Sequence, residues 1–433
     1  MALSSDANDV LSAPPTSPII KSYFARTPKS ASLHDVARRV MPGGTSRQAG
    51  YWTPYPLSVE RASGAYFWDA DGNRYLDLVN NYTAMVHGHA YPPIVEAAQR
   101  QIAKGAGWAA ANPIQNELAE QLVERLPSVD QIRFTNSGTE AGALAFTIAR
   151  KITGRQKLLM ARFGYHGSLL EFETGSFGHE GPITYLATYN DLNDFKAVLA
   201  EHGSELAAVF LEPVLGSGGV IGSNAEFLNG VKEAAHAAGA LFVLDEVLTY
   251  RFAVGGCQSL MDIDPDLTMT GKGIGGGFPV GAVGGKRDLL RIFDPADMKV
   301  FHTGTFNANP VTMAAGCVSV RELTAERIST MHALTETLKN GLISAIKKFD
   351  LPVSINHYGS CLNLYFSEEP PASSIVREDA EIMTKFHHAA MNRGLFIAPR
   401  GMMALSTVTT KEHIAEALEC VEAALKDVTA ELG

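Results

Sequence analysis

The chain has 433 residues, 46% of them hydrophobic and 19% charged, ordinary globular usage that excludes wholesale disorder. Its 36 basic and 46 acidic residues leave a net charge of −10 with no basic block, which argues against nucleic acid or an anionic membrane as main partner. No apolar run approaches the ~18 residues of a membrane span, and the length suits two or three structural units.

Residues 1–30 are rich in Ala, Ser and Pro, carry Asp6 and Asp9, and lack the continuous apolar core of a secretory signal. They are expected to form a mobile arm, with the cytoplasm as the expected compartment. Beyond it, apolar runs at 131–134, 157–163, 207–211, 241–244 and 267–269 read as strands, with amphipathic helices at 140–153, 192–201 and 226–238 between several of them. Strands apolar throughout and separated by helices predict an α/β domain with a mainly parallel sheet covered on both faces, over residues 70–325. The tail differs. A helix at 325–349, a β-rich stretch at 353–367 and helices at 379–393 and 412–432 predict a smaller α+β domain over 326–433. Ile414, Leu418, Val421, Leu425 and Val428 share one face of the last helix, and residues 31–69 are expected to join this domain. Cys257, Cys317, Cys361 and Cys420 are far apart without a CxxC pair, the pattern of free thiols in a reducing compartment.

Ligands of open parallel sheets bind beyond the carboxyl ends of the strands, so the residues just past each strand are the informative ones. Thr135-Asn136-Ser137-Gly138-Thr139-Glu140 opens a helix; its free N–H groups and dipole suit a phosphate, although any N-cap has this form. Gly164-Tyr165-His166-Gly167 offers an aromatic to a planar ligand, or a turn with a packed Tyr. Two apolar strands end in acids, Glu212-Pro213 and Asp245-Glu246. A carboxylate is costly to bury unless paired, so Asp245 faces either a ligand cation or a structural ion pair. Thr270-Gly271-Lys272-Gly273-Ile274-Gly275-Gly276-Gly277 leaves one lysine uncovered among glycines; partly desolvated, such an amine becomes a nucleophile for carbonyls.

Gly271, Gly273 and Gly276 also satisfy a dinucleotide fingerprint, but Phe278-Pro279-Val280 looks extended where a helix is required, and no Walker loop occurs. His87-Gly88-His89 and His387-His388 lack a third ligand at metal-binding spacing. The set as a whole says more than its parts. A phosphate cup, an aromatic, a carboxylate and a nucleophilic lysine at the ends of neighbouring strands are the groups pyridoxal 5′-phosphate needs.

At these residues the sequence resembles the class III aminotransferases of the fold-type I pyridoxal-phosphate enzymes, over about residues 35–430. The carrying motifs are Asn136-Ser137-Gly138-Thr139-Glu140-Ala141, Tyr165-His166-Gly167, Glu212-Pro213, Asp245-Glu246-Val247, Thr270-Gly271-Lys272 and Gly304-Thr305-Phe306. Met41-Pro42-Gly43-Gly44 and Gly304-Thr305-Phe306-Asn307 are similar to two branches, the glutamate-1-semialdehyde aminomutases and the β-phenylalanine aminotransferases. The resemblance implies that Lys272 forms the Schiff base and shuttles the proton, and that Asp245 pairs with the pyridinium nitrogen. Tyr165 and Val247 would cover the two ring faces. Ser137, Gly138 and Thr139 would hold the phosphate, with Thr305 reaching in from the partner subunit of a homodimer. Glu212 would help shape the site.

The branches differ at Ala398-Pro399-Arg400-Gly401. The β-amino-acid branch has this arginine, for the substrate carboxylate, and Arg47 matches a second carboxylate clamp of that branch. The expected activity is therefore a ping-pong transfer from an aryl or apolar β-amino acid, or an (S)-amine, to an α-keto acid such as 2-oxoglutarate or pyruvate. An aminomutase-like isomerase is the first rival and a non-catalytic cofactor-binding scaffold the second. Tyr82, with Tyr51, Trp52, Met85 and Met402, is a candidate for lining the substrate pocket.

Overall fold

The computed structural model describes residues 17–169, 171–172, 178–371 and 380–432. Two helices open it, α1 (Pro18–Arg26) and α2 (Pro28–Val40), each started by a proline whose fixed φ suits the first helical turn. Ile19 and Tyr23, four apart on α1, are buried, and both Ser17 Oγ and the Ile19 amide donate to Glu431. The expected mobile arm over 1–30 is thus corrected for its second half: these apolar residues anchor 17–30 to the C-terminal helices. Residues 1–16 of that arm lie outside the described residues.

Strands β1 (Val59–Ser63), β2 (Tyr66–Asp69) and β3 (Arg74–Asp77) form an antiparallel meander. Helices α3 (Pro92–Ile102) and α4 (Pro113–Arg125) come next. The large sheet is then built from β4 (Gln131–Thr135), β5 (Lys157–Ala161), β6 (Thr184–Ala187), β7 (Leu206–Leu211), β10 (Leu241–Asp245), β11 (Leu267–Gly271) and β12 (Gly281–Gly285), with the short hairpin β8 (Val214–Leu215) and β9 (Ile221–Gly222) projecting after β7. Its order is β4-β12-β11-β10-β7-β5-β6. Only β12 runs antiparallel to its neighbours, and it sets Gly281 in one row between Gly271 of β11 and Thr135 of β4.

Both sheet faces are covered, and residue alternation shows why. Leu158 and Met160 pack under α5 (Gly138–Thr153), whereas Leu159 and Ala161 face the opposite core. That second core is shared with Phe195 of α6 (Leu192–His202) and Leu228 of α7 (Ala225–Ala237). All six residues of β7 are fully buried, as a central parallel strand requires. Helix α8 (Pro310–Glu322) lies behind the loop that leaves β11; Ser319 Oγ donates to the Gly273 carbonyl at 2.7 Å.

The C-terminal part comprises α9 (Ala325–Lys347), β13 (Ser354–Tyr358), β14 (Cys361–Tyr365), α10 (Ala380–Asn392), β15 (Leu395–Phe396), β16 (Met402–Ala404) and α11 (Lys411–Leu432). Leu338, Leu364, Phe386, Val421 and Leu425 form its core together with Leu76 and Leu78, and β15 pairs with β3 in parallel. The division expected between residues 69 and 70 therefore runs through one sheet: Leu76 and Leu78 bury with the C-terminal helices, so the joining segment extends past it. Among the described residues no helix is long and apolar enough to cross a membrane.

Candidate active site

Lys272 comes directly after β11 and has a positive φ of 49°, a conformation that costs a non-glycine residue roughly 1–3 kcal/mol and that clusters at functional sites. The turn behind it needs glycine. Gly276 has φ 60°, and a Cβ there would stand 2.8 Å from the Ala315 carbonyl oxygen of α8. Lys272 is half-buried at the sheet edge. Desolvation lowers its pKa most; Asp245 and Glu212 pull the other way, and the Arg251 cation adds to the lowering.

Asp245 ends β10 one strand away and is buried. Its Oδ2 lies 2.9 Å from His166 Nδ1, and its Oδ1 accepts the Val247 amide at 2.9 Å. His166 Nε2, also buried, has no partner among the described residues. Glu212, at the start of the turn after β7, accepts from the Tyr165 and Gly216 amides at 3.1 Å each. Burial and the neighbouring Asp245 push its carboxyl up to about 7, against the opposing pull of His166. The Tyr165 ring is exposed, its hydroxyl 3.1 Å from Ser168 Oγ.

The start of α5 supplies a third corner. Ser137 caps the helix, accepting the Glu140 amide at 3.1 Å, so the Gly138 and Thr139 amides are left as the first helical donors, without intrahelical acceptors. A Cβ on Gly138 would come within 3.2 Å of Val247 Cγ1, which places this helix start beside the Asp245 turn. Asn136 Nδ2 donates to Asn307 Oδ1 at 2.8 Å, so the loop carrying exposed Thr305 is fastened to the same corner.

Segment 80–86 forms the opposite wall: Val86 stands 3.5 Å from where a Cβ on Gly273 would be, and Met85 3.0 Å from one on Gly277. Asn80, Asn81, Tyr82 and Thr83 are consecutive left-handed residues, with φ between 50° and 74°; asparagine tolerates this region, while Tyr82 and Thr83 carry a cost of about 1–2 kcal/mol each. Arg47 Nη1 donates to Asn81 Oδ1 at 2.6 Å, and the Arg47 guanidinium carbon stands 5.9 Å from the Tyr82 ring centroid. Arg400 Nη1 donates to Ser217 Oγ at 3.3 Å. Burial raises the Tyr82 phenol, while the charges of Arg400 and Arg47 both oppose that rise.

Lys272, Asp245, Glu212, Tyr165, Val247 and the 137–139 turn therefore converge on one sheet edge, with Arg400, Arg47 and Tyr82 near it. One pocket candidate belongs elsewhere: Trp52 packs on His387 and Phe396 and donates to Tyr23 Oη at 3.2 Å, in the core under α1. Met402 is buried with Val79, Ala398 and Ala404 in a cluster against which Tyr82 packs. From sequence alone His166 has no assigned role, and Asn81, Ser217 and Arg251 do not stand out as site residues. For Arg251 a signal existed: it is the single charge in the apolar run Val247-Leu248-Thr249-Tyr250-Arg251-Phe252-Ala253-Val254.

The family model described as Aminotransferase class-III matches residues 48–425. A β-phenylalanine transaminase of Variovorax paradoxus is 36% identical over 391 residues, which is 89% of this chain and 90% of that protein. The crystal structure of an omega-transaminase from Sphaerobacter thermophilus is 37% identical with a TM-score of 0.88, covering 92% of this chain and 97% of the other. The structure of a β-phenylalanine aminotransferase from Variovorax paradoxus is 34% identical, again with a TM-score of 0.88, covering 93% and 96%. The chain belongs to the class III aminotransferases, enzymes that work with pyridoxal 5′-phosphate.

Proposed function

We propose that this enzyme moves the amino group of an aryl or apolar β-amino acid, or of an (S)-amine, to an α-keto acid such as 2-oxoglutarate or pyruvate by a ping-pong cycle. The observation that carries the reading is the pair of guanidinium groups beside the lysine's sheet end: Arg47, 5.9 Å from the Tyr82 ring centroid and bonded to Asn81, and Arg400, bonded to Ser217, with both charges opposing the rise of the Tyr82 phenol. A β-amino acid holds its carboxylate one carbon further from the reacting amine than the product α-amino acid does. Two cationic anchors serve two such distances where one fixed anchor does not, and guanidinium pairs bidentately with carboxylate at either. The 36% identical β-phenylalanine transaminase supports the same donor class.

The residues fit the cofactor. Amides without intrahelical acceptors at the start of α5 suit a phosphate, a buried carboxylate lies one strand from a desolvated lysine, and Tyr165 leaves its ring exposed. In this reading Ser137, Gly138 and Thr139 bind the phosphate, and Thr305 serves the site of a second copy in a homodimer. Asp245, oriented by His166, would hold the cofactor's ring nitrogen and keep it protonated; Tyr165 and Val247 would hold the ring, and Glu212 would shape the wall beside it. Lys272 Nζ would take the proton from the donor carbon that bears the amine and would hold it for return within the site. The bound cofactor supplies the electron sink that makes this proton removable.

A half-reaction screen tests the donor class. Purified holoenzyme mixed with β-phenylalanine, α-methylbenzylamine and α-amino acids is expected to lose the absorbance of lysine-bound cofactor fastest with the β-amino acid. Fastest loss with α-amino acids alone overturns the donor assignment.

A further inference from the structure

Arg251 is buried, at 2% exposure, and every hydrogen bond its guanidinium makes among the described residues goes to a neutral group. Its Nε donates to Ser360 Oγ at 3.0 Å, Nη1 to the Thr83 carbonyl at 3.3 Å, and Nη2 to the Leu405 carbonyl and, at 3.5 Å, to Met331 Sδ. Burying a guanidinium on neutral partners is expensive, and a neutral side chain of similar length would fill the space without that cost. What the fork provides is geometry. It joins five segments distant in sequence: the turn after β10, the left-handed run 80–83, helix α9, the residue before β14 and the residue after β16.

The left-handed run is held at both ends. At its start, Asp77 Oδ1 accepts the Val79 and Asn80 amides at 2.7 and 3.0 Å, and Asn80 Nδ2 donates to the Ala404 carbonyl at 2.7 Å. At its far end, Arg251 holds Thr83, whose branched side chain makes φ 74° especially unfavourable. Between the two anchors stand Asn81, which receives Arg47, and Tyr82, whose hydroxyl donates to the Ala49 carbonyl.

We propose that Arg251 is a positioning residue for substrate carboxylates: by fixing the Thr83 carbonyl it keeps the run 80–83 in its left-handed form, so that Asn81 and Tyr82 present Arg47 at a set height over the reacting amine. The inference rests on the carboxylate role proposed for Arg47. Nothing is required of Arg251 toward the substrate itself.

The test compares Arg251→Met, Arg251→Lys and Asn81→Ala as holoenzymes, reading KM and kcat for β-phenylalanine and for carboxylate-free α-methylbenzylamine. Arg251→Met and Asn81→Ala should each move the ratio of the two KM values by at least about tenfold against the β-amino acid, and Arg251→Lys, which keeps a donor, should recover part of it. Because both act through one turn, Arg251→Lys combined with Asn81→Ala should be little worse than the poorer single variant. KM values that rise together for both donors, or full additivity of the two changes, overturn the proposal by reducing Arg251 to a structural group. Should Arg251→Met not load cofactor, the other two variants decide by the same ratio. Arg47→Ala separates the layers: if it leaves the ratio unchanged, the carboxylate reading fails; if it moves the ratio and the Arg251 variants do not, only this inference fails.

Discussion

Asp245 has one donor for each carboxylate oxygen, His166 and the Val247 amide, and is thereby held in one orientation at a buried strand end. Asp245→Asn keeps the shape and removes the charge, so the rate of proton removal from the donor carbon in single-turnover measurements should fall by at least ~10²-fold, the scale of losing one key electrostatic partner. Lys272→Ala should leave a folded protein, by circular dichroism, with neither turnover nor the absorbance of lysine-bound cofactor. For the two arginines the proposed function makes the expected loss selective. Arg400→Ala should raise KM for 2-oxoglutarate or pyruvate and Arg47→Ala that for β-amino donors, each by roughly ten- to over a hundredfold, as befits a charge-assisted pair of ~1.5–3 kcal/mol; half-reactions with carboxylate-free amines should be spared by the Arg400 change.

At the scale of elements, β5, β7, β10 and β11 were legible because their residues are largely apolar, as for Leu206–Leu211, whereas the short parallel strand β6, Thr184-Tyr185-Leu186-Ala187, was not. β12 was not, since Gly281-Ala282-Val283-Gly284-Gly285 reads as a loop. Its glycines answer to neighbours, not to propensity: a Cβ on Gly281 would sit 2.0 Å from the Ser137 carbonyl oxygen. Gly281→Ala must therefore push the start of α5 away from the sheet, and cofactor retention on dialysis should drop while Lys272 remains in place. The same blindness hid α1, whose Ile19 and Tyr23 look unremarkable until the C-terminal helices cover them.

Across the whole molecule, the strand-end residues could be read from sequence because sheet topology brings successive strand ends to one edge. The Arg251 cluster could not, since its partners Thr83, Ser360 and Leu405 lie 168, 109 and 154 residues away and carbonyl acceptors leave no trace in residue type. One consequence of burial is global. Glu212 titrates at about 7 in the fold, above the ordinary glutamate value, so folding favours its protonated form. Its contribution to stability is complete below the unfolded value and is lost as pH rises through about 7. The apo-protein's Tm should thus fall between about pH 5 and pH 8 more steeply than that of Glu212→Gln, measured by calorimetry; equal slopes would place the titration elsewhere.

The row Gly271, Gly281, Thr135 across three strands acts as a ruler. Neighbouring strands stand about 4.8 Å apart, so the backbone leading to the lysine and the backbone leading to the helix-start amides are separated by two such intervals, about 10 Å. That span is written in main-chain hydrogen bonds. On the proposed reading the helix-start amides take the cofactor's phosphate, so the sheet's spacing is matched to the reach of the cofactor, while the choice among substrates is left to the arginines and loops beside it.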